Sequence, residues 1–520
     1  MTKKANIVSD DTHNSKLHSP NLWFVYGICL LLATIFYFIF GFNSPIYTFN
    51  SDQDYNWFLT MGHGLVAGKL PYRDLFDHKG PIVYFVTAFC CLFKNPNLVM
   101  LFIEIICVSL FFFFAYRIAK KRLNAFFSLV VILVLALAIH TSWCRMCSAD
   151  AIEELFLPIY AYFLLCWLEF LIEHRTWNWI RSLCLGLCFG IIFWSKYTLV
   201  YFMLAPMLIW FILSLRAKQY RTITLNITMM LLGVVLITIP NVAFFAFNNA
   251  LSDLINVYFI VNLTAYGSSD PLMILFTAGV SFAIGPVALF LIIWGVVRFA
   301  IHHWHERTGW LVLIAFLVNW ILLVFTSKEI AYYFIGLFPY TILGAIDILA
   351  IISQKLTSPH HYQWIYIALT IVCIVICIPF SVLTWEWGRN KNEYTPLVIA
   401  DVIHDYETTH NTDVTLFCYR IGDFGFYNAT GIIPNNYYFC NNLFNETDYP
   451  RMYEEIHGYI TDQTSDFIIT TLSTWNHERD FLSSYYQPYT GTIDEPTVYH
   501  YHQLHYFYYR EHDFVLLIKK

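Results

Sequence analysis

The sequence predicts a predominantly α-helical polytopic membrane protein that ends in a small α/β domain. Three observations carry this. First, of 520 residues 58% are hydrophobic and only 13% charged, where soluble domains carry roughly 25% charged residues. Second, apolar runs of the length a spanning helix needs, about 20 residues, recur from Trp23 to Trp385. Third, from about Gly388 onward charge and polarity rise and the apolar runs shorten. The net charge of −6 argues no partner, and no basic patch interleaved with aromatics points to nucleic acid.

Spans are predicted near 22–41, 98–117, 124–142, 152–172, 180–195, 198–215, 222–247, 272–298, 309–326, 330–352 and 363–385. Cytoplasmic loops are enriched in Lys and Arg, so the basic loops set the orientation. Arg117, Lys120, Lys121 and Arg122 follow the second span, and His174, Arg175 and Arg181 the fourth. Arg216, Lys218 and Arg221 follow the sixth, Arg298, His302, His303, His305 and Arg307 the eighth, and Lys355 the tenth. Every second loop is basic, which places the N-terminus inside and the C-terminal domain outside. The expected organisation is a cytoplasmic tail (1–21), a membrane domain (22–387) with an external loop (42–97), and an extracytoplasmic α/β domain (388–520). Met1 to Pro20 lacks the apolar core and small-residue cleavage site of a signal peptide and is expected to be retained.

One apolar stretch, Pro81 to Phe93, is too short to span and is read as a helix lying against the outer face. Counting it or a neighbouring stretch as membrane-crossing gives twelve or thirteen spans instead of eleven.

In the last part, Val414–Tyr419, Asp466–Thr471 and Phe514–Ile518 read as strands, with Pro396–Tyr406 and Tyr453–Ile460 as helices between them. The tyrosine-rich stretch Tyr499–Tyr509 suits packing, sugar lining or a headgroup contact. Most of the 13 cysteines lie in apolar runs and behave as small hydrophobes. Cys418 and Cys440 are a candidate pair in the outer domain. Cys144 and Cys147 have a CxxC spacing but no second pair to complete a zinc site. His302, His303 and His305 read as cytoplasmic loop residues. Without a P-loop or a Gly-rich dinucleotide fingerprint, ATP-driven transport has no support.

The outer end holds the ionisable residues that topology does not explain. The loop after the first span contains Asn50-Ser51-Asp52-Gln53-Asp54-Tyr55, then Gly68-Lys69-Leu70-Pro71-Tyr72-Arg73-Asp74, then Asp77-His78-Lys79-Gly80-Pro81. Arg145, Asp150, Glu153, Glu154, Lys196, Lys328 and Glu329 share that membrane side. A long loop dense in ionisable groups beside a bilayer is a functional site by default.

These motifs resemble the GT-C membrane glycosyltransferases, in particular bacterial relatives of protein O-mannosyltransferases and lipid A aminoarabinose transferases. The resemblance extends through Asp150-Ala151-Ile152-Glu153-Glu154, Gly186-Leu187-Cys188-Phe189-Gly190, Trp194-Ser195-Lys196-Tyr197-Thr198 and Tyr332-Tyr333-Phe334-Ile335-Gly336-Leu337-Phe338-Pro339. It implies a GT-C-like bundle and transfer of a sugar from a polyprenyl-phosphate donor to an envelope glycan, lipid or protein on the outer face.

Such a reaction needs a carboxylate to take the acceptor proton and cations facing the departing phosphate. The resemblance makes Asp52 the base. Asp54, two residues on, is the second candidate, and the sequence does not rank the two. Lys79 matches the family's lysine after the second loop motif, with Arg73, Lys196 and Lys328 as further candidates for the phosphate. Tyr55, Tyr72, Asp74, Asp77, Asp150, Glu153, Tyr332 and Tyr333 are candidates for acceptor binding or for shaping the site. A single displacement inverts the anomeric configuration. The chain departs from relatives in having Asp52-Gln53-Asp54 for Asp-Glu, Tyr332-Tyr333 for His-Tyr, and His78 where some have a metal-binding Glu. No cofactor is required by the pattern, and a divalent metal ion at His78 is the one candidate. The alternative readings are a transporter or flippase of lipid-linked sugars, which needs midplane polar groups, and a non-catalytic envelope-assembly protein.

Overall fold

Asn21 opens the first span: its side chain accepts the Trp23 N–H, and α1 (Leu22–Phe40) runs apolar to Gly41. The computed structural model describes residues 21–141, 155–264, 272, 286–326, 331–356, 361–380, 388–439, 444, 446–505 and 508–520. Each predicted span contains a helix. After α2 (Gln53–Val66) and α3 (Pro81–Cys91) come α4 (Pro96–Ala119), α5 (Ala125–His140), α6 (Phe156–Glu173), α7 (Trp179–Lys196), α8 (Tyr201–Arg216) and α9 (Tyr220–Phe247). Helices Pro286–His302, Thr308–Thr326, Thr341–Lys355 and Tyr362–Cys377 complete the bundle. Six helical stretches among the described residues are long and apolar enough to cross a membrane. Several others are shorter: α5, with 16 residues, is about 24 Å long against a hydrocarbon core of about 30 Å.

Two details differ from the reading above. The segment predicted to open the 330–352 span is a 3-10 turn, Ala331–Tyr340, before α-helix begins at Thr341; Pro339 lies inside it and donates no N–H to an α-helical ladder. His302 is not a loop residue. It closes the helix Pro286–His302 and lies 3.3 Å from Asp347.

Charged groups from several loops converge at one end of the bundle. Lys121 after α4 reaches Glu169 of α6 at 2.8 Å, and Arg181 at the start of α7 reaches the same carboxylate at 2.7 Å. Arg122 and Arg298 converge on Asp347 at 3.5 and 3.1 Å. At the opposite end the Gly80 N–H donates to the Ser195 carbonyl at 2.9 Å, and Tyr201 Oη donates to the Tyr333 carbonyl at 2.8 Å. With the basic end inside, a cysteine replacing Asn249 is expected to react with an impermeant thiol reagent in intact cells, and one replacing Lys218 is not. Both positions are exposed. Labelling of the Lys218 variant alone reverses the orientation.

The loop 42–97 contains more helix than its polar composition suggests. α2 and α3 pack as a pair because Gly62 lets the backbones meet: a Cβ there would lie 2.7 Å from the Thr87 carbonyl carbon. Beyond residue 388, β1 (Leu416–Cys418) and β2 (Phe467–Thr471) pair in parallel, and β2 pairs antiparallel with β5 (Tyr508–Lys519). β3 (Tyr486–Pro488) and β4 (Tyr499–His505) take the other edge of β5. The three predicted strands are present. β3 and β4 are additions, and β4 accounts for much of the tyrosine-rich stretch as the partner of β5. Cys144, Cys147 and Cys440 lie outside the described residues.

Candidate active site

Asp52 is the N-cap of α2. Its Oδ1 accepts the Tyr55 N–H at 2.9 Å, and its own N–H donates to Asn50 Oδ1 at 2.9 Å. A capping carboxylate satisfies an orphan amide and sits on the positive end of the helix dipole. Asp54 follows in the first turn, half-buried, and Phe58 lies one turn below it on the same face. That ring receives the second motif: Lys79 Nζ lies 5.8 Å from the Phe58 centroid. Lys79 thus meets α2 one turn below Asp54.

The backbone around Lys79 is pinned from four sides. Tyr72 and Tyr84 both donate their hydroxyls to the Lys79 carbonyl, at 2.6 and 3.2 Å. Asn262 Nδ2 donates to the His78 carbonyl at 2.7 Å. Gly80 presses against the end of α7, where a Cβ would come within 2.1 Å of the Trp194 carbonyl oxygen. Any side chain at 80 would push this loop off α7. Asp77 is buried and accepts from the His78 N–H at 2.7 Å and Tyr84 Oη at 2.9 Å.

Lys196 enters from the break between α7 and the following 3-10 turn, with its Nζ 4.4 Å from the centroid of the buried Tyr333 ring. Burial pushes the His78 imidazole down; Asp77 opposes this, and the charges of Lys79 and Lys196 lower it further. The His78 imidazole is thus held below the ordinary histidine value. Burial pushes the Asp77 carboxyl up, but His78, Lys79 and the Tyr84 hydroxyl outweigh it and hold it below the ordinary aspartate value.

Asp52, Asp54, Asp77, His78, Lys79, Lys196, Tyr72 and Tyr333 thus gather at this end of the bundle. Tyr55 is buried beneath the cap, with its hydroxyl donating to Asn97 Oδ1 at 2.9 Å. Arg73 takes other partners, pairing with Asp74 at 3.1 Å and donating to the Asn248 carbonyl at 3.1 Å. Asp74 also accepts the Leu70 N–H, so both residues fold the Leu70–Leu75 turn. Tyr332 lies in the 3-10 turn by its backbone. Asp150, Glu153 and Lys328 lie outside the described residues. For a metal, His78 finds one carboxylate, Asp77 at 3.4 Å. Among the described residues no three His, Cys, Asp or Glu side chains converge as a ligand set. With two lysines acting on His78, the described residues do not fit a divalent ion.

The C-terminal domain grips both site-bearing segments. The Phe76 N–H donates to the Tyr437 carbonyl at 2.9 Å, and Tyr437 Oη donates to the Tyr72 carbonyl at 3.0 Å. Phe76 packs on the rings of Tyr437, Tyr438, Phe444 and Tyr449. On α2, Thr60 Oγ1 donates to the buried Asp423 at 2.6 Å, and Asn428 Nδ2 donates to both Asn56 oxygens at 3.0 Å. These partners are more than 360 positions apart, so no local pattern reveals them. Burial pushes the Asp423 carboxyl up from 3.8 to about 6, with Thr60 and the Gly425 amide opposing. A pKa raised on folding stabilises at low pH. The contribution is complete below about pH 4 and is lost as pH climbs through about 6. Two units correspond to roughly 3 kcal/mol. Asp423→Asn keeps both hydrogen bonds, since the Thr60 hydroxyl can also accept. It is expected to melt higher than wild type at pH 8, with the difference closing toward pH 5. Parallel melting curves across that range would remove Asp423 from the linkage.

Comparison with known proteins now bears on this geometry. Residues 78–244 match the family described as dolichyl-phosphate-mannose-protein mannosyltransferase. The fold matches the crystal structure of ArnT from Cupriavidus metallidurans bound to undecaprenyl phosphate, with TM-score 0.56 and 10% identity over 95% of this chain and 97% of that one. Its apo structure matches with the same score and coverage at 11% identity. No curated protein matches. Across residues 78–244 the chain is similar in sequence to the dolichyl-phosphate-mannose-protein mannosyltransferases, and along nearly its whole length its fold is similar to that of ArnT.

Proposed function

We propose that the protein transfers a sugar from a polyprenyl-phosphate-linked donor to a hydroxyl of an envelope glycan, lipid or protein on the outer face of the cytoplasmic membrane. The observation that supports this is the approach of Lys79 to Phe58, one turn below Asp54 on α2, with Lys79 and Lys196 both acting on His78. The reaction requires a proton acceptor and leaving-group cations near one another, and the candidates for both lie at this end of the bundle. The acceptor oxygen attacks the anomeric carbon while Asp52 takes its proton. The bond from that carbon to the phosphate oxygen breaks, and the phosphate leaves with the electron pair toward Lys79 and Lys196. One displacement inverts the anomeric centre. The fold shared with a protein crystallised with undecaprenyl phosphate supports a lipid carrier of that class.

The test is mass spectrometry of envelope glycans, lipids and glycoproteins from cells with and without the protein. Loss of one glycoconjugate, with its polyprenyl-phosphate sugar accumulating on the outer leaflet, is expected. If that sugar instead accumulates on the inner leaflet, the protein moves the carrier and does not use it. An unchanged inventory removes the transferase reading.

A further inference from the structure

Glu104 sits inside the apolar helix α4, buried in a segment long enough to span the membrane. An ionisable side chain in a span marks function by default, with its partner to be named. Here the partner is an amide relay. Glu104 Oε1 accepts from Asn43 Nδ2 at 2.7 Å. Asn43 Oδ1 accepts from Asn50 Nδ2 at 2.8 Å. Asn50 Oδ1 accepts the Asp52 N–H at 2.9 Å. Asn56 Nδ2 braces the far side, donating to the carbonyls of Asn50 at 2.8 Å and Asp52 at 2.6 Å. Glu104, Asn43, Asn50 and Asn56 are all buried.

The relay has a direction, and Glu104 sets it. An asparagine amide can sit either way round, and its neighbours choose. Facing the Glu104 carboxyl oxygen, Asn43 turns its NH2 to Glu104 and its oxygen to Asn50. Asn50 must then offer its NH2 to Asn43 and its oxygen to the Asp52 N–H. With an apolar residue at 104, Asn43 loses the reason for its orientation. A flipped Asn50 would set its NH2 against the Asp52 N–H, donor against donor, and leave a buried hydrogen bond unmade. The carboxyl is itself held sparingly, since Oε2 has no hydrogen-bond partner among the described residues. Packing alone does not explain a polar group kept there.

We propose that Glu104 is a positioning residue for Asp52, fixing the Asn43–Asn50 relay and through it the start of α2. This rests on the reading of Asp52 as the base. The test uses full-length protein in lipid nanodiscs, with whichever undecaprenyl-phosphate hexose of a panel the wild type turns over. Glu104→Leu and Asn43→Leu are each expected to lower kcat on the order of 10- to 10²-fold, as misplacement of a reacting group does. Donor KM and undecaprenyl phosphate binding by native mass spectrometry are expected to hold. The double variant is expected to fall no further than either single one, and Glu104→Gln, which keeps an oxygen for Asn43, to stay near wild type. Wild-type kcat in Glu104→Leu, or Glu104→Gln as impaired as Glu104→Leu, overturns the proposal. If Glu104→Leu fails to insert, Asn43→Leu and Glu104→Gln decide: normal kcat in the first, or a crippled second, overturns it. A wild type that neither binds undecaprenyl phosphate nor transfers a hexose overturns the transferase reading itself.

Discussion

Replacing Asp52 with asparagine is expected to lower sugar transfer roughly 10²- to 10⁴-fold, with donor binding and membrane insertion intact. The structure makes this substitution clean. Asp52 caps α2 through Oδ1, and asparagine caps a helix about as well as aspartate. The variant therefore keeps the start of α2, keeps the Tyr55 amide satisfied, and loses only the ability to take a proton. Alanine would remove the cap as well, at typically about 1 kcal/mol, and would mix misplacement with lost chemistry. Asp54→Asn is the companion. Asp54 stands in the first turn, one turn above Phe58, and a smaller loss is expected if it orients the acceptor. Near wild-type transfer by Asp52→Asn together with a dead Asp54→Asn would exchange their roles. Full activity in both would leave this loop without catalytic work and favour a transporter.

Much of the bundle was legible because spans announce themselves locally. Length, hydropathy and the alternation of basic loops are read one segment at a time, and most helix boundaries followed within a few residues, with exceptions at 272–298, where the described helix is Pro286–His302, and at 330–352, where the α-helix begins only at Thr341. α2 was not legible. Its run Gln53–Val66 mixes Asp54, Asn56, His63, Gly62 and Gly64 among apolar residues, so neither a span nor an amphipathic face stands out. Gly62, read alone as a helix breaker, serves the close approach to α3. The acids and Lys79 were readable as a concentration of charge, but their grouping was not. Lys79 meets α2 through Phe58, an apolar residue that no charge pattern selects. Glu104 was hidden by its setting, one acid in a long apolar run, although Asn43 and Asn50 flanking the acidic motif were a signal in plain view. Arg73, a further candidate for the phosphate, pairs in the turn with Asp74, a contact the sequence alone does not reveal. The grip of Tyr437 on Phe76 joins residues 361 positions apart, and only the folded chain supplies it.

Lys79→Ala is expected to slow transfer roughly 10²- to 10³-fold, the usual loss when one group facing developing charge is removed. The surroundings separate this from a folding defect. The Lys79 carbonyl is held by Tyr72 and Tyr84, and the loop by Asn262 and the Gly80 contact with α7. All of these bonds use backbone atoms of residues 78–80, so truncating the side chain leaves the loop in place. What disappears is one of the two ammonium charges that act on His78. Lys79→Arg is expected to recover part of the rate: it restores the charge, but its planar fork does not reproduce a compact ammonium. Lys196→Ala tests the second charge. Its Nζ lies over Tyr333, on the other wall, and if both lysines face the same phosphate the double variant is expected to lose less than the two single losses combined. The decisive measurement is single-turnover transfer from a saturating lipid-linked donor, which isolates departure of the phosphate from binding. Near-normal turnover by a properly inserted Lys79→Ala protein would take Lys79 out of the site and leave Lys196 as the only proposed phosphate-facing lysine among the described residues.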